Sequence, residues 1–181
     1  MNSKSLLQPF LFAAALLVAS HGSAQGLRLS GYFAQASALG GGDWSVGAGV
    51  IWPLAWRTSV WGNPVSSLAE ASINHWQARG TGRSNGFTHF ALVPLLRVRF
   101  GDSPWFADAG IGVSLTDQRF VTQTKQFTTK FNFVDVVGVG HSFGADRRQD
   151  LSLRVQHVSN AGIRVPNPGQ NFLQLRYASA F

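Results

Sequence analysis

His157 and Ser159 are the two side chains whose types and spacing suggest chemistry, because they stand two residues apart near the C-terminus. A histidine can take the proton of a serine hydroxyl, and the freed oxygen can attack a carbonyl carbon, provided that the imidazole is held in the right tautomer. Residues two apart in a strand share one face. The segment that follows, Asn160-Ala-Gly-Ile-Arg-Val-Pro-Asn-Pro-Gly-Gln170, is dense in Gly, Pro and Asn. Such a loop suits a fixed irregular backbone, which can aim an amide at a developing oxyanion. The plainer alternative is an interfacial histidine and serine that bond backbone or lipid headgroups.

The elements that must position this pair are strands. From Asn171 to Phe181 one face carries mostly apolar residues and the other mixed or polar ones, and Leu151, Leu153 and Val155 alternate with Ser152, Arg154 and Gln156. Period-two alternation marks strands with two unlike faces. Eight such segments lie at about 26–37, 44–54, 65–78, 87–100, 104–115, 131–143, 149–159 and 171–181. A soluble lipocalin-like barrel would turn the apolar faces inward, whereas a transmembrane barrel turns them to lipid and its polar faces to the lumen. Aromatic residues near strand ends, charged Arg97, Arg99, Asp108 and Arg154 on the less apolar faces, and a terminal Phe181 favour the transmembrane form. The fold expected is all-β, an eight-stranded antiparallel transmembrane β-barrel of the outer membrane. Closure removes the sheet edges that lipid cannot hydrogen-bond.

With eight strands both termini fall on the periplasmic side, with short turns there and longer loops outside. Gly101–Pro104 and Gly144–Asp150 read as short turns, and 57–64 as a longer connection; the outward loops are 38–43, 79–86, 116–130 and 160–170. His157 and Ser159 then end one strand at the outer leaflet, and Asn171 begins the next at the same level. Parity puts all three on the lipid-facing side. Polar groups there are costly and mark a functional site.

Composition fits an exported chain. Lys4, the apolar run Pro9–Ala19 and the small residues Gly22-Ser23-Ala24 read as a signal peptide, residues 1–24, leaving 25–181 as one barrel domain. The apolar run is shorter than the roughly 20 residues of a membrane-spanning helix. Cysteine is absent, so no disulfide contributes. Fifteen Lys and Arg face eight Asp and Glu, and Arg79, Arg83, Arg119, Lys125, Lys130 and Arg164 fall in the outward loops. Such loops attract anionic groups such as phosphate, the plainer reading being ordinary solvation of loops. Dispersed basic residues on an exported chain argue against nucleic acid. His75 and His89 lack a third ligand and read as packing, so no metal is expected. Glu70 and Asp108 with Arg97, Arg99 and Arg154 read as a network filling the narrow lumen.

His157-Val-Ser159-Asn160-Ala161-Gly162-Ile163, followed by Pro166-Asn167, Gly169 and a strand ending in Phe181, resembles the PagL family of outer-membrane lipid A 3-O-deacylases. Upstream, Phe106–Val113 and Phe131-Asn-Phe133 are similar to that family's strands. The resemblance implies a cofactor-free esterase that removes the primary acyl chain from the 3-position of lipid A. Lipopolysaccharide is the expected substrate, outer-membrane lipid the surroundings, and a homodimer an assembly compatible with the fold. By match to the motif, His157 would be the general base and Ser159 the nucleophile, with Asn167 and the backbone around Gly162 stabilising the oxyanion. The family's third member is a glutamate just after the Pro-Asn-x-Gly turn. Here that place holds Gln170 and Asn171, and no acid follows Asp150. Spacing from the histidine and strand parity favour Asn171, with Gln170 second. An amide orients imidazole but stabilises imidazolium less than a carboxylate does, which implies a slower enzyme. A passive barrel, resembling OmpA-like or OmpX-like proteins, is the alternative, and a phospholipase or acyltransferase a third reading.

Overall fold

The computed structural model describes residues 28–38, 42–79, 84–122 and 124–181. The expected signal peptide and Arg83 lie outside the described residues, as do parts of the loops expected at 38–43 and 79–86. Eight antiparallel strands form one closed barrel: β1 (Gly31–Ala38), β2 (Trp44–Val60), β3 (Asn63–Arg79), β4 (Ser84–Arg99), β5 (Trp105–Thr116), β6 (Phe131–Phe143), β7 (Gln149–Ser159) and β8 (Gln170–Ala180). Each strand pairs with its sequence neighbour, and β1 closes on β8. The strand count and order match the alternation, and six of the eight strands fall within a few residues of expectation.

The departure is the β2–β3 hairpin. The expected connection over 57–64 is mostly strand, and the chain reverses at Trp61 and Gly62, with φ of 50° and 79°. Positive φ at both central residues matches the twist of a two-residue hairpin. The alternation fades after Pro53 because the β2–β3 register shifts between Pro53 and Arg57, leaving Leu54, Ala55 and Trp56 bulged opposite Ser67. Ser67 Oγ donates to the Trp56 carbonyl at 2.8 Å and covers the irregular backbone. A bulge breaks period-two parity, so the strand could not be followed past it by pattern alone.

Alternation resolves into two environments. Leu151, Leu153, Val155, Leu173 and Leu175 are each about half exposed, while Ser152, Arg154, Gln156, Gln174 and Arg176 are buried inside. Apolar outside and polar inside is the pattern of a membrane-spanning barrel. Tyr32, Trp105, Phe143 and Phe181 project outward towards one rim, and Trp44, Phe90 and Phe131 towards the other.

The lumen is filled in two layers. In the periplasmic half, Arg97 clasps Asp108 at 2.8 and 2.9 Å and reaches Asp150 at 2.5 Å. Arg154 bridges Asp108 and Glu70 at 2.5 and 3.0 Å, and Arg176 donates twice to Glu70 at 2.5 and 2.7 Å. Asp150 and Arg176 thus join the network expected from sequence, whereas Arg99 donates to Ser142 Oγ instead of to an acid. Arg176 also lies over the Phe33 ring at 3.5 Å. The outer half is apolar, with Trp76, Phe87, Phe120, Phe127, Val134, Val158 and Phe172 in one buried cluster. Between the layers remains a space of about 20 Å³ beside Glu70 and Arg154, little more than a water molecule needs. The inside is a packed core and gives the site on the wall a stiff backing.

Candidate active site

The outer ends of β7 and β8 carry the polar constellation. Residues directly opposite in this ladder include His157 with Asn171. His157 Nδ1 lies 2.6 Å from Asn171 Oδ1. An amide oxygen only accepts, so Nδ1 is the protonated nitrogen and Nε2 keeps its lone pair. That tautomer is the one a general base requires. Behind the ring stands Gly169, at φ +60°, where a Cβ would approach His157 Cε1 to 2.7 Å. Glycine there allows both the turn into β8 and the seat of the imidazole.

Gln170 faces the other way. It is buried in the lumen, where its Nε2 donates to Asp43 Oδ2 at 3.2 Å and its Oε1 accepts from Lys125 Nζ at 3.2 Å. The structure therefore brings Asn171 and not Gln170 to the histidine, as the period-two parity of β8 demands.

Ser159, nearly buried at the end of β7, shares the His157 face but is not hydrogen-bonded to it. The Ala161 N–H points at Ser159 Oγ, at 3.4 Å. Ala161 and Gly162 both have positive φ, 52° and 80°. This bend turns the Ala161 amide back towards the serine, while the Gly162 N–H is taken by Asn160 Oδ1 at 2.9 Å. Of the two amides, Ala161 is the one beside the nucleophile candidate. Nothing in the residue type of an alanine marks it in advance.

Asn160 is the hub of the loop. Its N–H donates to Asn167 Oδ1 at 3.0 Å, which orients the Asn167 amide, and its Nδ2 donates to the Arg164 carbonyl at 2.8 Å and to Thr128 Oγ1 at 3.1 Å. Thr128 Oγ1, with one proton to donate, lies 3.2 and 3.1 Å from the carbonyl oxygens of Arg164 and Pro166, and Lys125 Nζ donates to the Gly169 carbonyl at 3.2 Å. The 117–130 and 160–169 loops are thus tied together over the site. Lys125 and Lys130 are partly committed to backbone carbonyls, Lys130 to that of Asp117 at 2.6 Å. Arg79, Arg119 and Arg164 are exposed among the basic residues expected to meet phosphate, as is Lys130.

His75 and His89 both pack as the sequence reading had them, one outside the wall and one inside it, because His89 pairs with Asn74, one residue from His75. His75 is exposed against Trp44, and His89 is buried against Trp76 at 4.3 Å. Sequence reasoning placed β6 but passed over its Asp135, which stands directly opposite His157 as Phe133 does opposite Ser159. The odd-numbered stripe of Phe131, Phe133, Val137 and Val139 was the signal that would have placed Asp135 outside.

Fold and site together define a class: a small membrane-spanning β-barrel with an imidazole, a hydroxyl and an orienting amide on its outer wall, near one rim. Within that class the chain belongs to the lipid A 3-O-deacylase (PagL) family, whose family model matches residues 44–180. It is 30% identical over 174 residues to the lipid A deacylase PagL of Pseudomonas aeruginosa, an alignment covering 94% of this chain and 96% of that one. With the lipid A deacylase PagL of Bordetella bronchiseptica it shares 29% identity over 131 residues, 71% of each chain. Its fold superimposes on the crystal structure of the outer membrane enzyme PagL with a TM-score of 0.73 at 22% identity, over 84% of this chain and all of the other. The family is one of ester-hydrolysing enzymes, and the barrel is an outer-membrane one.

Proposed function

We propose that this chain hydrolyses the ester holding the acyl chain at the 3-position of lipid A, with Ser159 as nucleophile and His157 as general base. The observation that carries the reading is the 2.6 Å His157–Asn171 bond, formed on a lipid-facing wall where an unused polar pair would only cost stability. Membership in the deacylase family supplies the substrate class.

The chemistry balances on these side chains. Nε2 of His157 takes the Ser159 hydroxyl proton as Oγ bonds to the ester carbonyl carbon. The Ala161 N–H and the Asn167 amide are the candidates to meet the oxyanion, with the Gly162 amide held by Asn160. The imidazolium returns its proton to the departing sugar alkoxide as the ester C–O bond breaks. Water then attacks the acyl-serine, giving a proton to His157 and hydroxide to the acyl carbon, and the fatty acid leaves as Ser159 recovers its proton. The acyl chains of an outer-leaflet lipid would lie along Val155, Leu173 and Val137, which are exposed on the outer wall. Its phosphates would meet Arg119 and Arg164.

Mass spectrometry of lipid A from cells expressing the protein should show loss of one ester-linked acyl chain, and Ser159→Ala should abolish that loss while leaving a folded, heat-modifiable barrel. Retained deacylation in Ser159→Ala would mean another nucleophile; an unchanged lipid A with the parent chain would mean a passive barrel.

A further inference from the structure

The periplasmic mouth of the lumen, at the other end of the barrel from His157, holds more positive charge than negative. In that half Arg97, Arg154 and Arg176 share the carboxylates of Glu70, Asp108 and Asp150. Two further arginines take the same inner face. Arg99 follows Arg97 by two residues on β4, and Arg57 on β2 stands opposite Ser66, which stands opposite Arg97 in turn. Among the described residues neither Arg57 nor Arg99 forms an ion pair. Arg99 is partly buried and donates to Ser142 Oγ at 3.1 Å, a hydroxyl already committed to Asp150 Oδ1 at 2.7 Å. The Phe106 ring lies between it and Arg97, its centre 5.8 Å from the Arg99 guanidinium and 3.8 Å from that of Arg97. The turns beyond do not offset the excess, because Asp102 and Asp146 are matched there by Arg147 and Arg148.

Arg57 and Arg99 line one cavity of about 340 Å³, together with Pro53, Pro64, Ser66 and Leu68. It is the roomy end of a lumen that is otherwise filled. Five guanidinium groups against three carboxylates leave two positive charges, both at this cavity, and a partly buried charge without a counter-ion is costly. The fork of a guanidinium matches the oxygens of a phosphate in paired, charge-assisted hydrogen bonds. We propose that this cavity is a binding site for a phosphate group, held between Arg57 and Arg99 with the Ser66 hydroxyl beside them. The deacylation chemistry on the outer wall uses none of these residues, so the inference stands apart from the roles of Ser159 and His157.

Two sources of phosphate can reach it. The mouth opens to the periplasm, from which a soluble phosphate enters directly. β1 pairs with β2 only as far as Ile51, so among the described residues the Trp52–Val60 stretch of β2 has no strand on its β1 side. Trp56 and Trp61 project from this hairpin, 48% and 96% exposed, and aromatic residues near a barrel rim sit at the level of lipid headgroups. A phospholipid of the inner leaflet can therefore bring its headgroup past the free edge to the same two arginines.

The test uses the full-length protein in micelles of an uncharged detergent. Calorimetry follows inorganic phosphate, and native mass spectrometry counts retained phosphatidylglycerol against a diacylglycerol of the same chains, which lacks the phosphate. One saturable site is expected, weakened on the order of tenfold or more in Arg57→Gln and in Arg99→Gln, as loss of a charge-assisted contact implies. Arg99→Lys keeps the charge without the fork and should fall between Arg99→Gln and the parent. Arg148→Gln, in the exposed connection before β7, should bind as the parent does. Arg57 is itself exposed, so Arg57→Gln tests the site even where Arg99→Gln does not fold. Retention of phosphatidylglycerol without a response to inorganic phosphate supports a headgroup site, and the reverse supports a site for soluble phosphate. Binding in neither arm, equal retention of the phosphate-free diacylglycerol with no phosphate response, or binding that survives Arg57→Gln in a folded, heat-modifiable barrel would each overturn the inference.

Discussion

At the scale of residues, the site depends on which of two adjacent amides meets His157. Asn171 does so at 2.6 Å, while Gln170 is spent in the lumen on Asp43 and Lys125. Asn171→Ala is expected to lower the deacylation rate constant by on the order of tens- to thousandsfold, by analogy with removal of a triad orienting group, with Ser159 still required. Gln170→Ala should leave the rate within a few-fold, since its partners belong to the interior. Paired rate measurements on folded protein decide this: a silent Asn171 with a damaging Gln170 would place the strand one residue out of register. The His157–Asn171 pairing was legible from spacing and parity. The Ala161 amide was not, because its place beside Ser159 follows from two consecutive positive φ angles and not from residue type.

At the scale of elements, the connections are where sequence pattern and structure part. The β2–β3 reversal rests on two residues, and a Cβ at Gly62 would meet nothing within 4 Å. Any cost of adding one is therefore conformational. Gly62→Ala should destabilise the barrel by about 1 kcal/mol, the order of the left-handed penalty for an L-residue, and should leave deacylation unchanged. Urea unfolding in lipid vesicles, followed by tryptophan fluorescence, measures the first part and fatty acid release the second. The turn was obscured because Leu54, Ala55 and Trp56 bulge out of register and make the alternation fade before the strand ends. The β7–β8 loop behaves differently: its Asn160, Asn167 and Gly169 were conspicuous in sequence, and each has a structural task around the site.

At the scale of the whole molecule, the barrel carries its chemistry outside and its stabilising ion pairs inside. Glu70 accepts from Arg154 and Arg176 together, and Arg154 passes on to Asp108. Breaking a buried pair leaves charge uncompensated, so Glu70→Gln should cost about 3–5 kcal/mol. It should lower the temperature at which the folded band converts on a denaturing gel. Residual activity per folded molecule should persist, because the network lies on the other side of the wall from His157. Loss of activity without loss of stability would instead mean that the network sets the geometry of the site.

Outside the β2 bulge, the sequence by itself determined the strands, the side of the wall their residues take, and the fact that His157, Ser159 and Asn171 share the apolar face, because period-two geometry ties parity to side. Only the tertiary structure decided which β6 residues stand across from His157 and Ser159. Cross-strand partners depend on register, and register is summed over turns, bulges and closure that no local pattern records. Asp135 is 22 residues from His157 along the chain and directly opposite it in the sheet, so the carboxylate beside the imidazole could be found only once β6 and β7 had been paired.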